Sequence, residues 1–94
     1  MKLRWTRHVR ADIHAAYDYV AVDSVDAANE FLERVEQAAE VLVRHPMAGR
    51  TGRISGTREL VVAGTPWIIP YRVRRGFVDV LAVIHGARKW PDDL

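Results

Sequence analysis

The stretch TRELVVAGTPWIIPYRVRRGFVDVLAVI, Thr57–Ile84, decides the fold. Three runs rich in β-branched and aromatic residues, TRELVV, WIIPYRV and FVDVLAVI, are separated by AGTP and RRG, which are typical of turns. The third run is the most continuously apolar, which predicts a central strand. Pro70 has no N–H to donate, so we expect irregular pairing at that point or an exposed N position. The stretch therefore predicts three sheet strands joined by short turns.

Upstream of this region the apolar residues recur with helical spacing. After a short alternating strand, KLRW, Thr6 is expected to cap a helix. The apolar stripe of that helix is Val9, Ile13, Ala16, Tyr17 and Val20. A second helix is expected to begin at a cap on Asp23 or Ser24 and to end at His45, because Pro46 disfavours helix in the residue before it. Its stripe is Val25, Ala28, Leu32, Val35, Ala39 and Leu42.

The order of elements predicts an α+β domain. The glycine-rich segment that follows the second helix, HPMAGRTGRISG, is expected to be a loop. The elements then run β-α-α-β-β-β, with a helical hairpin packed on one face of an antiparallel sheet. A chain of 94 residues has room for one core. We therefore expect a single domain over residues 1–94 whose second sheet face is open.

Composition limits the compartment and the chemistry. The chain has no cysteine, which excludes disulfides and thiolate metal sites and favours a cytoplasmic location. No signal peptide is expected, and no membrane partner, since no stretch approaches the roughly 20 apolar residues of a spanning helix. The four histidines show no ligand-pair spacing, and neither a P-loop nor a nucleophile elbow is present. We expect no metal and no cofactor.

The charge is distributed unevenly. Residues 1–49 hold six Lys/Arg and eight Asp/Glu, whereas residues 50–94 hold eight Lys/Arg and four Asp/Glu. Seven of those eight cations are arginine, the residue favoured where phosphates or carboxylates are gripped by a planar fork. The asymmetry predicts that the C-terminal half meets an anionic partner.

One set of side chains has the residue types needed for cleaving an RNA phosphodiester without metal. His85 titrates in the range that suits a general acid or base. Arg58, Arg72 and Arg88 would stabilise the charge of the pentacoordinate phosphate. The alternative is structural, with His85 bonded to backbone at the end of a strand. In that reading Arg58 or Arg88 pairs with one of four carboxylates, those of Glu59, Asp79, Asp92 and Asp93.

Further residues suit contact with a nucleic acid or a protein target. Trp90 lies beyond the last strand, where an indole can stack on a base or pack the tail. Arg50 and Arg53 are cations in the glycine-rich loop, and Lys89 extends the basic cluster beside Arg88. The candidate binding residues are therefore Arg50, Arg53, Arg58, Arg72, Arg88, Lys89 and Trp90.

Several segments, in this order and at these spacings, resemble the RelE/ParE superfamily of bacterial toxins. They are ADIHAAYDY, AANEF, LVRHPMAGR, GTRELVV, PYRV and VIHGARKWP, which together cover almost the whole chain. The resemblance implies the same β-α-α-β-β-β fold. It also implies a toxin of a type II toxin–antitoxin system, linked to growth arrest and plasmid stabilization, and neutralised by a cognate antitoxin that wraps the toxin as it folds. Such pairs commonly repress their own operon, so operator DNA would be met through the antitoxin.

The resemblance leaves two targets open. RelE-like members cut mRNA on the ribosome, and ParE-like members poison DNA gyrase. Arg58 and Arg88 match basic positions of the RelE-like site, but Leu60 and the stretch before Tyr71 are apolar, and no tyrosine follows Arg88. Gly-Thr-Arg before an apolar strand, followed by Tyr-Arg-Val, is similar to the ParE pattern, although the tail HGARKWP is not. These features favour a non-hydrolytic ParE-like toxin. An mRNA interferase and an inactive antitoxin-binding module remain as alternatives.

Overall fold

The computed structural model describes residues 1–91 and Leu94, so the pairing considered for Asp92 and Asp93 lies outside the described residues. The elements are β1 (Lys2–Trp5), α1 (Val9–Ala21), α2 (Val25–Arg44), β2 (Arg50–Thr51), β3 (Arg58–Val61), β4 (Trp67–Arg74), β5 (Phe77–Val80) and β6 (Ile84–His85). The sheet order is β1-β5-β4-β3-β2, and β6 pairs with β4 beyond the end of β5. The two helices cover one face of this sheet.

The α+β architecture with a helical hairpin on a sheet is confirmed, with three differences in the strands. β1 joins the sheet parallel to β5, so the sheet is mixed rather than antiparallel. The predicted loop after α2 contains the two-residue strand β2, paired with β3. The predicted third strand, FVDVLAVI, is divided into β5 and β6. In the described part of the chain, no helix is long and apolar enough to cross a membrane.

The core lies between the helical hairpin and the sheet. Trp67, Ile69 and Tyr71 of β4 face the helices and are buried. The buried residues of α2 are Ala28, Phe31, Val35, Ala38, Ala39 and Leu42. The predicted stripe missed Phe31, and it wrongly included Val25, which is exposed in the first turn of α2, next to the tip of the hairpin.

Pro70 interrupts the pairing along β4, as its missing N–H predicts. Tyr71 is in register with Val80 of β5, and Ile68 is in register with Ile84 of β6. Two residues of β4 therefore face three residues of the partner segment, which is a β-bulge. Leu81 N–H donates to the Pro70 carbonyl at 2.9 Å. In an antiparallel hydrogen-bonded pair, the second hydrogen bond would be donated by residue 70 to the Leu81 carbonyl. Pro70 has no N–H and cannot donate it.

Two side chains near the start of α1 satisfy backbone groups of the bulge. The Thr6 hydroxyl lies 2.7 Å from the Val80 carbonyl oxygen and 3.3 Å from that of Leu81, which Pro70 leaves without a donor. Asp12 accepts a hydrogen bond from the Val83 N–H at 3.2 Å. The prediction that Thr6 caps α1 is wrong, because its hydroxyl is used in this way. The N-cap of α1 is His8, which makes no side-chain capping bond.

At the second helix, the cap prediction is confirmed. The Ser24 side-chain oxygen accepts a hydrogen bond from the Ala27 N–H at 3.1 Å. The helix ends at Arg44, and His45 is its C-cap residue, directly before Pro46. The short connection between the helices, residues 22–24, makes them an antiparallel hairpin.

The bulge also changes which face of the sheet the last strand residues occupy. Along β5, Val78 and Val80 point to the helices, so simple alternation would place His85 on the opposite face. The extra residue reverses the alternation. His85 is in register with Trp67 and shares its helix-covered side.

We expect Asp12→Ala to lower the free energy of unfolding by about 1–3 kcal/mol, because the Val83 N–H would be left without an acceptor. Urea denaturation followed by tryptophan fluorescence measures the change. Burial raises the pKa of the Asp12 carboxyl. A neutral acceptor is therefore tolerated there, and Asp12→Asn should be milder. Asp18→Ala, at an exposed carboxylate of the same helix, is the matched control. Equal losses for Asp12→Ala and Asp18→Ala would contradict this role.

Candidate functional site

The sheet face turned away from the helices, here called the open face, carries charged side chains on neighbouring strands. Residues in register across a sheet share a face. Arg4 of β1, Asp79 of β5 and Arg72 of β4 form one such row. Arg74 lies in the next row, opposite Phe77. These side chains alternate with the apolar residues of the same strands, which face the helices.

Asp79 is buried at the centre of the open face and is held by arginines. The Arg4 guanidinium donates two hydrogen bonds to its carboxylate, from Nε at 2.6 Å and from Nη2 at 3.0 Å. Arg74 Nε lies 3.8 Å from the same carboxylate. The hydrogen bonds from Arg4 outweigh burial and lower the pKa of the Asp79 carboxyl. Arg4 also stacks on Phe77, with Cζ 4.0 Å from the ring centroid, which fixes its orientation.

Glu59 of β3 is a second buried carboxylate on the open face. Its Oε2 accepts from the Arg53 backbone N–H at 2.7 Å and lies 3.3 Å from Arg53 Nε. Its Oε1 lies 3.2 Å from Arg50 Nη2. Burial opposes ionisation, but these donors together lower the pKa of the Glu59 carboxyl. The two loop arginines are therefore held in place by a carboxylate and do not move freely.

The exposures of these groups give the open face its charge. The side chains of Asp79 and Glu59 are 8% and 3% exposed, whereas those of Arg4 and Arg50 are 51% and 58% exposed. The carboxylates lie beneath and the guanidinium groups lie outside. The surface that a partner meets is thus cationic, even though each carboxylate neutralises part of the charge.

The segment after β6 covers one half of the open face. Gly86 N–H donates to the Pro66 carbonyl at 2.8 Å, and a side chain at Gly86 would crowd the Ile68 side chain. At the far end, the Trp90 ring lies 3.5 Å from Arg53 Cζ. Trp90 therefore packs on a cation that Glu59 already holds. In the part of the chain that the structure describes, no hydrogen bond, ion pair or cation–π contact joins this segment to Arg72.

His85 and Arg88 lie in an aromatic cluster with side chains of the helical layer. The His85 ring makes an edge contact with Trp67, at 5.2 Å between centroids, and Trp67 packs on Phe31. His85 Nδ1 accepts a hydrogen bond from the Ala87 N–H at 3.1 Å. The Arg88 guanidinium stacks on Tyr19, with Cζ 4.5 Å from the ring centroid. Because of the bulge, His85 lies on the helix-covered side of the sheet and not on the open face.

Arg58 holds a loop. It is in register with Tyr71, so it lies on the helix-covered side of the sheet. Its Nη1 donates to the Gly49 carbonyl at 2.8 Å. The Tyr71 hydroxyl accepts from the Gly49 N–H at 2.8 Å, and a side chain at Gly49 would collide with that hydroxyl. Arg58 and Tyr71 together fix the turn that leads from α2 into β2.

The structure thus divides the residues predicted from the sequence among three places. Arg50, Arg53, Arg72 and Trp90 lie on the open face, His85 and Arg88 lie in the aromatic cluster, and Arg58 of β3 is bonded to the turn after α2. Lys89 is exposed in the tail. The sequence reasoning missed Arg4 and Arg74 as members of the open face, together with the carboxylates that orient them. One feature of the sequence could have indicated this charged face. Asp79 is an acidic residue that alternates with valines inside an apolar strand.

A groove of about 650 Å³ lies on the helical hairpin, away from the open face. Its apolar lining comes from Trp5, Ile13, Leu32, Val35 and Ala39. Its charged rim is divided by sign. Arg10 of α1 lies on one side, and Glu36 and Glu40 of α2 lie on the other. The Trp5 side chain, which lines this groove, is about half exposed.

Comparison with known proteins identifies the family. Residues 3–90 match the family model described as the ParE toxin of the type II toxin–antitoxin system, parDE. The chain belongs to the ParE toxin family. It is 40% identical over 93 residues to the protein Y4kP of Sinorhizobium fredii, covering 99% of this chain and 96% of that one. It is 37% identical over 84 residues to Toxin RelE2 of Caulobacter vibrioides, covering 89% of this chain and 93% of that one.

A solved structure is similar to this ParE-family toxin in both fold and sequence. The match is a chain of the chromosomal ParDE toxin–antitoxin system from P. aeruginosa, at a TM-score of 0.78 and 30% identity. The alignment covers 90% of this chain and 95% of the other. The superfamily expected from the sequence segments is therefore confirmed, and this chain is a toxin of a type II toxin–antitoxin system.

In this ParE-family toxin we expect Asp79→Asn to lower the free energy of unfolding at pH 7 by about 1–3 kcal/mol, because a charged acceptor of Arg4 is lost. The pKa of the Asp79 carboxyl is lower in the folded state than in the unfolded state, where it is about 3.9, so the ionised carboxylate stabilises the fold at pH values above 3.9. This stabilisation is lost as the pH falls through the pKa of the folded state. The difference between wild type and variant should therefore shrink towards pH 3. Urea denaturation at both pH values tests this, with Asp23→Asn as the exposed control. A difference that does not vary with pH would contradict it.

Proposed function

We propose that this toxin arrests growth by binding DNA gyrase and trapping it on cleaved DNA, without hydrolysing RNA. The observation that carries the proposal is the position of His85. Its ring packs on Trp67 on the helix-covered side of the sheet, and its Nδ1 is engaged by the Ala87 N–H. Arg72 lies on the opposite face.

The geometry does not suit RNA cleavage by the four residues considered from the sequence. A general base and the cations that stabilise a phosphorane must surround one phosphate, within hydrogen-bonding reach of it. Here His85 and Arg72 lie on opposite faces, Arg58 is bound to a loop carbonyl, and Arg88 stacks on Tyr19. A binding mechanism needs no such convergence.

The similar proteins also favour DNA gyrase over mRNA as the target. The family model is that of ParE toxins, and the matching solved structure is part of a ParDE system. One relative carries the name Toxin RelE2, so names alone do not separate the two branches. The side-chain geometry is the stronger argument for gyrase as the target of this chain. The runner-up is a ribosome-dependent mRNA interferase.

We expect the purified toxin to convert supercoiled plasmid into linear DNA in the presence of gyrase and ATP, when the reaction is stopped with detergent and protease. His85→Gln should retain this activity within about threefold, since the proposed mechanism uses no base at this position. The measurement is the linear fraction on an agarose gel as toxin is titrated.

Two results would contradict the proposal. One is the absence of linear DNA at every toxin excess. The other is codon-linked cutting of translated mRNA by the wild type that His85→Gln abolishes, which would establish the interferase. Harmless expression of the toxin without its neighbouring gene would instead support an inactive antitoxin-binding module.

For neutralisation, we infer that the groove on the helical hairpin receives an apolar segment of a cognate antitoxin. The lining is apolar and partly exposed, which is unusual for a surface without a partner. The division of charge on the rim favours a segment with an acidic edge towards Arg10 and a basic edge towards Glu36. An amphipathic helix with apolar anchors at helical spacing meets these requirements.

We expect Trp5→Ala to weaken antitoxin binding by at least tenfold, because the half-exposed indole is the largest apolar side chain that lines the groove. Isothermal titration with the purified antitoxin measures the affinity. Tyr19→Ala, which removes an exposed aromatic of α1 that does not line the groove, is the control. Equal effects of the two substitutions would argue against the groove.

A further inference from the structure

The cations and carboxylates of this toxin are separated between its two layers. The open face brings together six cations and two carboxylates: Lys2, Arg4, Arg50, Arg53, Arg72 and Arg74, with Glu59 and Asp79. The two helices carry three arginines and seven carboxylates: Arg10, Arg34 and Arg44, with Asp12, Asp18, Asp26, Glu30, Glu33, Glu36 and Glu40. The molecule is therefore positive on the open face and negative on the helical layer.

The open face presents this charge outward. Both carboxylates are buried, and each is approached by two arginines whose guanidinium groups remain about half exposed. Arg4 uses Nε and Nη2 for Asp79, which leaves Nη1 for an external anion. Among the described residues, no carboxylate oxygen lies within 4 Å of the Arg72 guanidinium. The carboxylates thus orient the arginines without covering them.

From this arrangement we propose that the uncovered half of the open face, Lys2, Arg4, Arg72 and Arg74, binds the phosphodiester backbone of nucleic acid. Lys2 and Arg4 of β1 lie on one side of β5, and Arg72 and Arg74 of β4 lie on the other, so the two pairs are two strand spacings apart, about 10 Å. Exposed cations placed in this way can each contact a phosphate of a nucleic-acid backbone. Arginine forks bind phosphate oxygens through paired donors. The inference rests on the proposed function for the identity of the nucleic acid, which would be the DNA held by gyrase.

The same half of the face is poorly suited to a protein partner. Protein interfaces have an apolar centre that becomes fully buried, whereas nucleic-acid interfaces are polar and strongly positive. The large exposed apolar side chains of the described chain lie elsewhere, for example Tyr19 and Val22 on the hairpin, Trp5 at the groove and Val61 on β3. Phe77, within this half, is stacked under Arg4. An acidic peptide would find charge here but no apolar anchor.

Fluorescence anisotropy with a labelled 20-base-pair DNA duplex, without gyrase, tests the proposal. We expect binding with a Kd of about 10 µM or tighter at 50 mM salt, weakening as salt rises. Arg72→Ala and Arg74→Ala should each weaken binding about tenfold and lower the salt slope by about one. Arg72→Lys, which keeps the positive charge but loses the paired donors, should weaken binding less than Arg72→Ala does. Arg44→Ala, which removes a cation from the last turn of α2, should change the Kd by less than twofold.

Three outcomes would overturn the proposal. The first is no binding of duplex at 50 mM salt by a wild type that unfolds cooperatively. The second is an equal loss of affinity in Arg44→Ala and Arg72→Ala, which would indicate a net-charge effect. The third is binding of polyglutamate of equal charge as tightly as duplex, which would indicate an acidic peptide. The same measurement is made with an RNA of the same sequence. Tighter binding of RNA than of DNA would support the phosphodiester site and would identify RNA, instead of gyrase-bound DNA, as its ligand.

Failure of this inference is distinguishable from failure of the gyrase mechanism. A wild type that binds duplex but traps no cleaved plasmid retains the phosphodiester site and loses the proposed target. A wild type that traps cleaved plasmid without binding duplex retains the target and loses the site. Thermal melting of each variant accompanies the binding curves, so that a lost fold is separated from a lost contact.

Discussion

The missing N–H of Pro70 is the constraint on which much of this structure depends. It removes one hydrogen bond from the middle of β4, and the partner strand responds with an extra residue. The backbone groups left over are bound by Thr6 and Asp12, so the junction between β1 and α1 is tied to the centre of the sheet. The same extra residue turns His85 towards the helices. The absence of one N–H therefore determines the contact between the sheet and the start of α1, the register at the bulge and the position of His85.

The open face follows a second physical rule, that a buried carboxylate needs charged or hydrogen-bonding partners. Asp79 and Glu59 are satisfied by arginines that come from neighbouring strands and from a loop. Ion pairs of this kind add modest stability, because their arginines stay half in water. Their structural effect is orientation. Each carboxylate holds two arginine side chains in defined positions. Each group of two arginines and one carboxylate therefore carries a net charge of +1.

The sequence predicted the elements well and the faces less well. Apolar stripes located both helices, and runs of β-branched residues located the strands, because these patterns reflect burial of one side. Ser24 and Pro46 marked helix ends through local chemistry. The position of His85 was not predictable by alternation, since one bulge residue reverses every side chain that follows. Thr6 was misread for a related reason: its hydroxyl serves a strand carbonyl more than 70 residues away, and a local pattern carries no information about such a partner.

The two surfaces of the toxin impose a condition on its neutralisation. The groove lies on the helical hairpin, and the cationic row lies on the opposite side of the sheet, so a segment that fills the groove does not by itself cover Arg72. β1 separates the two surfaces: Trp5 lines the groove, and Arg4 belongs to the open face. Because β1 is an edge strand, its outer backbone groups are available for pairing with a further strand. An antitoxin that continues from the groove along this edge would reach the arginines. An antitoxin whose bound segment ends in the groove would leave these arginines uncovered. It would have to inhibit the toxin by sterically excluding the target.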